Sequence, residues 1–244
     1  MGLDQYAHLR GKEPSWGLDD KIQDDFYWRK HARLQVFMAR MYDRQNPEEA
    51  KKRLQNKESG GLEHLGFNAE IIEDNILLKN YNYLIFPGVG SFGHCVENLK
   101  KKNFFLKLKE SILKNKIPTL CICVGMQMLG KKSDESNNVN GLNILDFNVK
   151  KMKKFKNLKI PHVGWNEVKF TKKFGHFKPN KSYDFYFDHS YIVKNSVNSI
   201  GLSTHTENFS SIIRYKNILA CQFHPEKSQE NGLNFIETFL KEYA

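Results

Sequence analysis

Cysteine is scarce in this chain, with four among 244 residues. Four thiols are too few for a disulfide scaffold, and Cys121 and Cys123 lack the two-residue spacer of redox and zinc sites. Reduced thiols in a cytosol are the simplest reading. Long apolar runs are also missing. The longest, 118–129, is interrupted by Thr119, Gly125 and Gln127, and it falls well short of the roughly 20 residues needed to cross a bilayer. The opening stretch MGLDQYAHLRGKEP has no apolar signal-peptide core, so a soluble, non-exported, cytoplasmic chain with no membrane contact is expected. Arginine is thin where lysine is dense. The net charge of +11 comes from Lys-rich stretches at 100–102, 150–159 and 169–181. These lack the guanidinium groups that grip phosphates and bases bidentately. The charge reads as solvated surface, and nucleic acid is not expected as a partner.

What is present is enough to fill a core: 40% apolar residues, with 13% aromatics, exclude wholesale disorder. Residues 1–58 differ in character from the rest. Their charge is nearly balanced, and Phe26, Leu34, Phe37, Met38 and Met41 fall at the spacing of an amphipathic helix over 25–42. Asn46-Pro47 resembles a second helix start, and no strand pattern occurs before Gly60-Gly61. From Gly66 onward strands and helices alternate. Strands are predicted at 69–72, 83–86, 119–122, 145–149, 167–170, 185–187, 211–215 and 219–223, and helices at 96–115, 125–131 and 233–243. That alternation predicts an α/β fold with a largely parallel sheet. The expected organisation is an atypical helical segment of unknown role at 1–58 and one domain at 59–244.

Three segments carry chemistry. In PTLCICVGMQ (118–127) a buried strand runs into Cys123, then Gly125, then a helix. Such a sharp strand-to-helix turn presents a nucleophile at the carboxyl end of a sheet, and the positive end of a helix favours a thiolate. On this segment alone a buried structural cysteine reads equally well. In LACQFHPE (219–226) an extended chain would point His224 and Glu226 to one side, where a carboxylate can fix the imidazole tautomer and support its charge. An isolated H-x-E is more often a surface pair. In YLIFPGVGSFG (83–93) a strand leads into a glycine-rich turn able to aim backbone N–H groups at an oxyanion, although Pro-Gly after a strand is most often only a turn.

Taken in order, PGVGSFG, CICVGMQ, PHVGWNEV, FYFDHSY and QFHPEKSQENGL resemble the class I glutamine amidotransferases, within them the glutaminase subunit of imidazole glycerol phosphate synthase. The resemblance covers about residues 60–244 and implies a flavodoxin-like sheet with flanking helices. It implies that Cys123 attacks the side-chain amide of L-glutamine, that His224 carries the proton to leaving ammonia, and that Glu226 orients His224. It also implies an oxyanion hole at Gly88, Val89 and Gly90, and glutamine contacts from Gln127, Glu135, His189, Ser190 and Tyr191. Ammonia would pass to a (β/α)8-barrel cyclase subunit in histidine biosynthesis, with Pro161, His162, Trp165, Asn166 and Lys227 at the heterodimer interface. No metal and no cofactor is implied. The alternatives are a paralogous amidotransferase for surface-sugar modification, or an impaired protein that only binds a partner. The chain departs from the family in four places. Cys121 stands where the elbow normally has glycine, and Asp188 and Val163 are milder changes. The family's opening strand and Asp-Tyr-Gly-x-Gly-Asn type loop are replaced by residues 1–58, leaving LEHLG (62–66) as the recognisable tail of the first helix.

Overall fold

The computed structural model describes Ile72, residues 75–136 and residues 138–243. The helices expected at 25–42 and after Asn46, the first three residues of the strand expected at 69–72, and the segment 1–58 expected to replace the family's opening strand lie outside those residues; Ile72 is in no strand.

After a 3₁₀ turn at Asn75–Asn80, the elements run β1 (Leu84–Gly88), α1 (Phe92–Lys101), α2 (Phe104–Leu113), β2 (Thr119–Cys123), α3 (Val124–Met128), β3 (Val149–Lys151), β4 (His162–Phe170), β5 (Ser182–His189), β6 (Tyr191–Val193), β7 (Ser199–Thr204), β8 (Asn208–Tyr215), β9 (Ile218–Cys221) and α4 (Gln229–Glu242). Seven strands form one sheet in the order β1-β2-β9-β8-β7-β4-β5, and β3 pairs with β6 separately. Among the described residues only the β1–β2 and β2–β9 ladders are parallel. The remaining neighbours are antiparallel, which corrects the expectation of a largely parallel sheet. The cause is the length of the connections. Three residues join β7 to β8 and two join β8 to β9, whereas a parallel crossover takes about a dozen. Lys216, at φ 52°, closes the shorter turn.

The helix expected at 96–115 is two helices. Asn103 adopts φ 58° between α1 and α2, a left-handed conformation that asparagine tolerates better than most residues. Ser91 caps α1, its hydroxyl accepting from the His94 N–H. The helix expected at 125–131 is shorter, at Val124–Met128, and the strand expected at 145–149 is displaced to β3, with which it shares only Val149. Strands β6 and β7 were not foreseen. Both are short, and β7 carries Gly201, which weakens its alternating signature.

Strand β2 is buried along its whole length, as a central parallel strand covered on both faces must be. Its side chains divide by pleat. Leu120 and Ile122 join a core rich in phenylalanine (Phe170, Phe185, Phe187, Phe223, Phe235) under α4. Cys121 joins the opposite core with Leu108, Ile112, Met126 and Ala220. The thiol at the position where the family has glycine therefore fills a core beneath α2. Because β1, β2 and β9 run parallel, their carboxyl ends lie together. Gly88 pairs with Cys123 and Ile122 with Cys221, so residues a hundred apart in sequence share one end of the sheet.

Candidate active site

Cys123 is the last residue of β2 and immediately precedes α3, at φ 54° and ψ −112°. That conformation is strained for a residue with a side chain, and its surroundings enforce it. A Cβ on Gly125 would lie 2.2 Å from the Phe86 carbonyl oxygen, and one on Gly88 would lie 2.3 Å from the Gly125 nitrogen. Only two glycines let the end of β1 meet the first turn of α3 so closely. The elbow predicted from the sequence is thus formed, with the Cys123 side chain buried at the sheet end.

His224 leaves β9 in an extended conformation, and its N–H donates to the Tyr186 carbonyl at 2.8 Å. The chain then turns as a 3₁₀ helix, Pro225–Lys227. This corrects the extended geometry assumed for the His-x-Glu pair: the tight turn, not strand alternation, brings Glu226 to the ring. The Glu226 Oε1 lies 2.7 Å from His224 Nδ1. Ser228 locks the turn onto β5, its hydroxyl donating to the His224 carbonyl at 2.6 Å and accepting from the Tyr186 N–H at 2.9 Å. Ser228 was missed in the sequence, where it sits unmarked at the end of HPEKS.

With Nδ1 committed to Glu226, Nε2 is the ring nitrogen left for Cys123, whose sulfur is near enough to act electrostatically on the imidazole. Burial by itself would lower the basicity of His224. The Cys123 sulfur and the Glu226 carboxylate overcome it and raise the ring to about 10. Burial opposes ionisation of Glu226 too, but the imidazolium beside it holds the carboxyl below its ordinary value. The three other thiols are kept protonated. Burial pushes Cys95 up to about 12, and it raises Cys121 and Cys221 as well. The arrangement separates one thiol, coupled to an imidazole with a carboxylate behind it, from three inert ones.

The other predicted residues fall around this centre. Cys95 donates its S–H to the Val89 carbonyl at 3.5 Å, and Gly90 takes φ 111° in open space. Gln127 is buried, with its Nε2 donating to the Tyr191 carbonyl and to Gln222 Oε1, both at 3.1 Å. Its amide hydrogens are therefore spent inside the protein, leaving Oε1 for any substrate. Glu135 accepts from the Phe92 N–H at 2.7 Å and so caps α1. Ser190 lies half-buried between β5 and β6.

His189 and His162 form a buried chain. The Tyr191 carbonyl can only accept, so His189 Nδ1 donates to it at 3.0 Å; His189 Nε2 then accepts from His162 Nδ1 at 3.0 Å, and His162 Nε2 accepts from Asn166 Nδ2 at 3.2 Å. Burial holds both rings neutral, His189 lowered to about 3 and His162 to about 4. His162, expected at the partner face, thus points inward. The pleat of β4 turns its neighbours Val163 and Trp165 outward, each about half exposed. Pro161 is exposed, and Trp165 meets the Tyr186 ring edge-on at 6.1 Å. Lys227 places its ammonium 5.2 Å from the Tyr186 ring centre, and that buried nitrogen has no hydrogen-bond partner among the described residues. Among the described residues no cluster of histidine, cysteine and carboxylate groups could hold a metal ion, and no helix is long and apolar enough to cross a membrane.

Comparison with known proteins bears on the same residues. Residues 60–243 match the family model for class-I glutamine amidotransferases. The imidazole glycerol phosphate synthase subunit HisH of Blochmanniella floridana is 39% identical over 181 residues, covering 74% of this chain and 90% of the relative. The HisH subunit of Methanocaldococcus jannaschii is 40% identical over 195 residues, covering 75% and 95%. A crystal structure of a glutamine amidotransferase superposes with a TM-score of 0.56 at 15% identity, over 75% of this chain and 89% of that one, a likeness of fold.

Proposed function

The chain belongs to the class I glutamine amidotransferase family, and from that premise we propose that it is the glutaminase subunit of an imidazole glycerol phosphate synthase. The match over residues 60–243 supports reading 59–244 as the amidotransferase domain. In this reading Cys123 gives its proton to His224 Nε2, and the thiolate attacks the side-chain carbonyl carbon of L-glutamine. The oxyanion forms against the backbone of Gly88–Gly90, the neighbour of Cys123 in the sheet register. Collapse breaks the C–N bond as the His224 imidazolium delivers its proton, releasing ammonia and leaving a γ-glutamyl thioester. Water, deprotonated by His224, then hydrolyses the thioester to glutamate and restores the thiol. Glu226 keeps His224 in the tautomer that both steps need.

The observation that carries this reading is the strained Cys123 turn brought against an imidazole whose other nitrogen is 2.7 Å from a buried carboxylate. HisH relatives at about 40% identity support the acceptor assignment, ammonia delivered to a cyclase subunit in histidine biosynthesis. We place that subunit, a (β/α)8 barrel, on the outward face of β4 and β5. Half-exposed Val163 and Trp165 and exposed Pro161 mark that face, and Lys227, whose ammonium has no hydrogen-bond partner among the described residues, lies against Tyr186 beneath it. His189, Ser190 and Tyr191 would line the glutamine site beside Cys123.

The test is glutamate release from L-glutamine, measured with and without a candidate cyclase subunit. Cys123→Ala is expected to cut turnover at least about a thousandfold, and the cyclase subunit is expected to stimulate the unmodified chain. Full hydrolysis by Cys123→Ala overturns the reading.

A further inference from the structure

Gln222 lies two residues before His224 and is wholly buried. Its Nε2 lies 3.7 Å from the Cys123 sulfur, within reach of an N–H···S hydrogen bond. An amide can usually be turned end for end without visible consequence, but here a backbone carbonyl fixes its direction. The Tyr191 oxygen can only accept, so Gln127 must present its nitrogen to it. The second hydrogen of that nitrogen goes to Gln222 Oε1. With its oxygen occupied, Gln222 can offer Cys123 only its N–H. The thiol has a separate acceptor, the Asp188 carbonyl at 3.9 Å. The sulfur thus has one partner suited to the protonated form and another suited to the anion.

We infer that Gln222 is a catalytic residue of this site: its Nε2–H donates to the Cys123 sulfur and stabilises the thiolate once His224 has taken the proton, while Gln127 is the positioning residue that aims it. A charge-assisted hydrogen bond in a pocket closed to water favours the anion over the neutral thiol. Gln127 acts from one step back, by a bond to the oxygen of Gln222 rather than by contact with sulfur. The inference rests on the reading of Cys123 as the nucleophile and adds a group that holds its charge.

The experiment is alkylation of Cys123 by iodoacetamide on the full chain from about pH 5 to about pH 10, followed by mass spectrometry at that residue, which reports thiolate content without glutamine turnover. Gln222→Met is expected to move the midpoint upward and to slow alkylation at neutral pH by about tenfold, one unit of ionisation. Gln222→Glu, with the same shape and a carboxylate facing sulfur, is expected to move it further, and Gln127→Met to move it less but in the same direction. A midpoint unchanged from the unmodified chain in Gln222→Met overturns the inference; should that variant lack a cooperative melt, the isosteric Gln222→Glu decides in the same way. Wild-type Cys123 that resists alkylation at neutral pH would instead overturn the nucleophile reading itself.

Discussion

At the scale of single residues, chemistry depends on which atoms are left over once structural bonds are made. His224 has one nitrogen held by Glu226 and one free for sulfur. Glu226→Gln keeps the shape of the side chain but removes the charge behind the imidazolium. Glutamine hydrolysis is expected to fall about a hundredfold or more, as in triads that lose their carboxylate, in a steady-state glutamate assay. The pH dependence follows from the same ring. With His224 raised to about 10, the imidazolium needed to expel ammonia persists through neutrality and is lost as pH climbs past that value. Turnover is therefore expected to decline on the alkaline side near pH 10, far above the ordinary histidine range. Cys123 and the His224–Glu226 pair were ambiguous as isolated local patterns; it was their order among the other motifs, and the family resemblance of that order, that singled them out. Gln222 and Ser228 could not be singled out, since their roles come from Gln127 and Tyr186, neither of them near in the chain. One signal was available for Gln222: a side chain two before His224 on a strand lies on its face.

At the scale of elements, the site depends on the close approach of β1 to α3 and on the His162–His189 chain between β4 and β5. Gly125→Ala would force a methyl group into the Phe86 carbonyl, 2.2 Å away. A loss of about 3 kcal/mol in urea denaturation is expected, together with reduced activity because the Cys123 turn must shift. The histidine chain makes stability depend on pH. A buried His189 lowered to about 3 stays neutral while the unfolded chain takes up a proton below about 6.5, so the folded state weakens as pH falls through that window and is unaffected above it. The expected slope is about 1.4 kcal/mol per pH unit from His189, with His162 adding in the same direction down to about 4. Denaturation midpoints of the unmodified chain and His189→Gln at pH 7 and pH 5 check this, the variant showing the shallower slope. Element types were mostly legible, because β2 and β9 are short apolar runs and α4 has clear helical spacing. The break at Asn103 was not, since a left-handed residue inside a periodic pattern leaves no trace in hydrophobicity.

At the scale of the whole molecule, three parallel strands carry the chemistry and an antiparallel extension carries an outward face. Strand order was hidden in the sequence, because apolar runs do not state direction; the short connection between the strands expected at 211–215 and 219–223 was the one clue to antiparallel pairing, since β7 was not foreseen. The outward face is where a partner would act. Trp165, about half exposed, contributes little to the core, so Trp165→Ala is expected to keep the folding transition while weakening assembly with a cyclase subunit by about 2 kcal/mol, the scale of an interface hot spot. Titration calorimetry of the two proteins reads that difference. The central claim is narrower than the assembly: one thiol of four, at the end of β2, attacks the amide carbon of glutamine. Its most direct test is treatment of the intact chain with an electrophilic glutamine analogue, followed by peptide mass spectrometry. The account predicts a single adduct on Cys123, distinguished from Cys121 by fragment ions and prevented by excess L-glutamine. An adduct confined to Cys95, Cys121 or Cys221, or one on Cys123 that L-glutamine does not prevent, would contradict it.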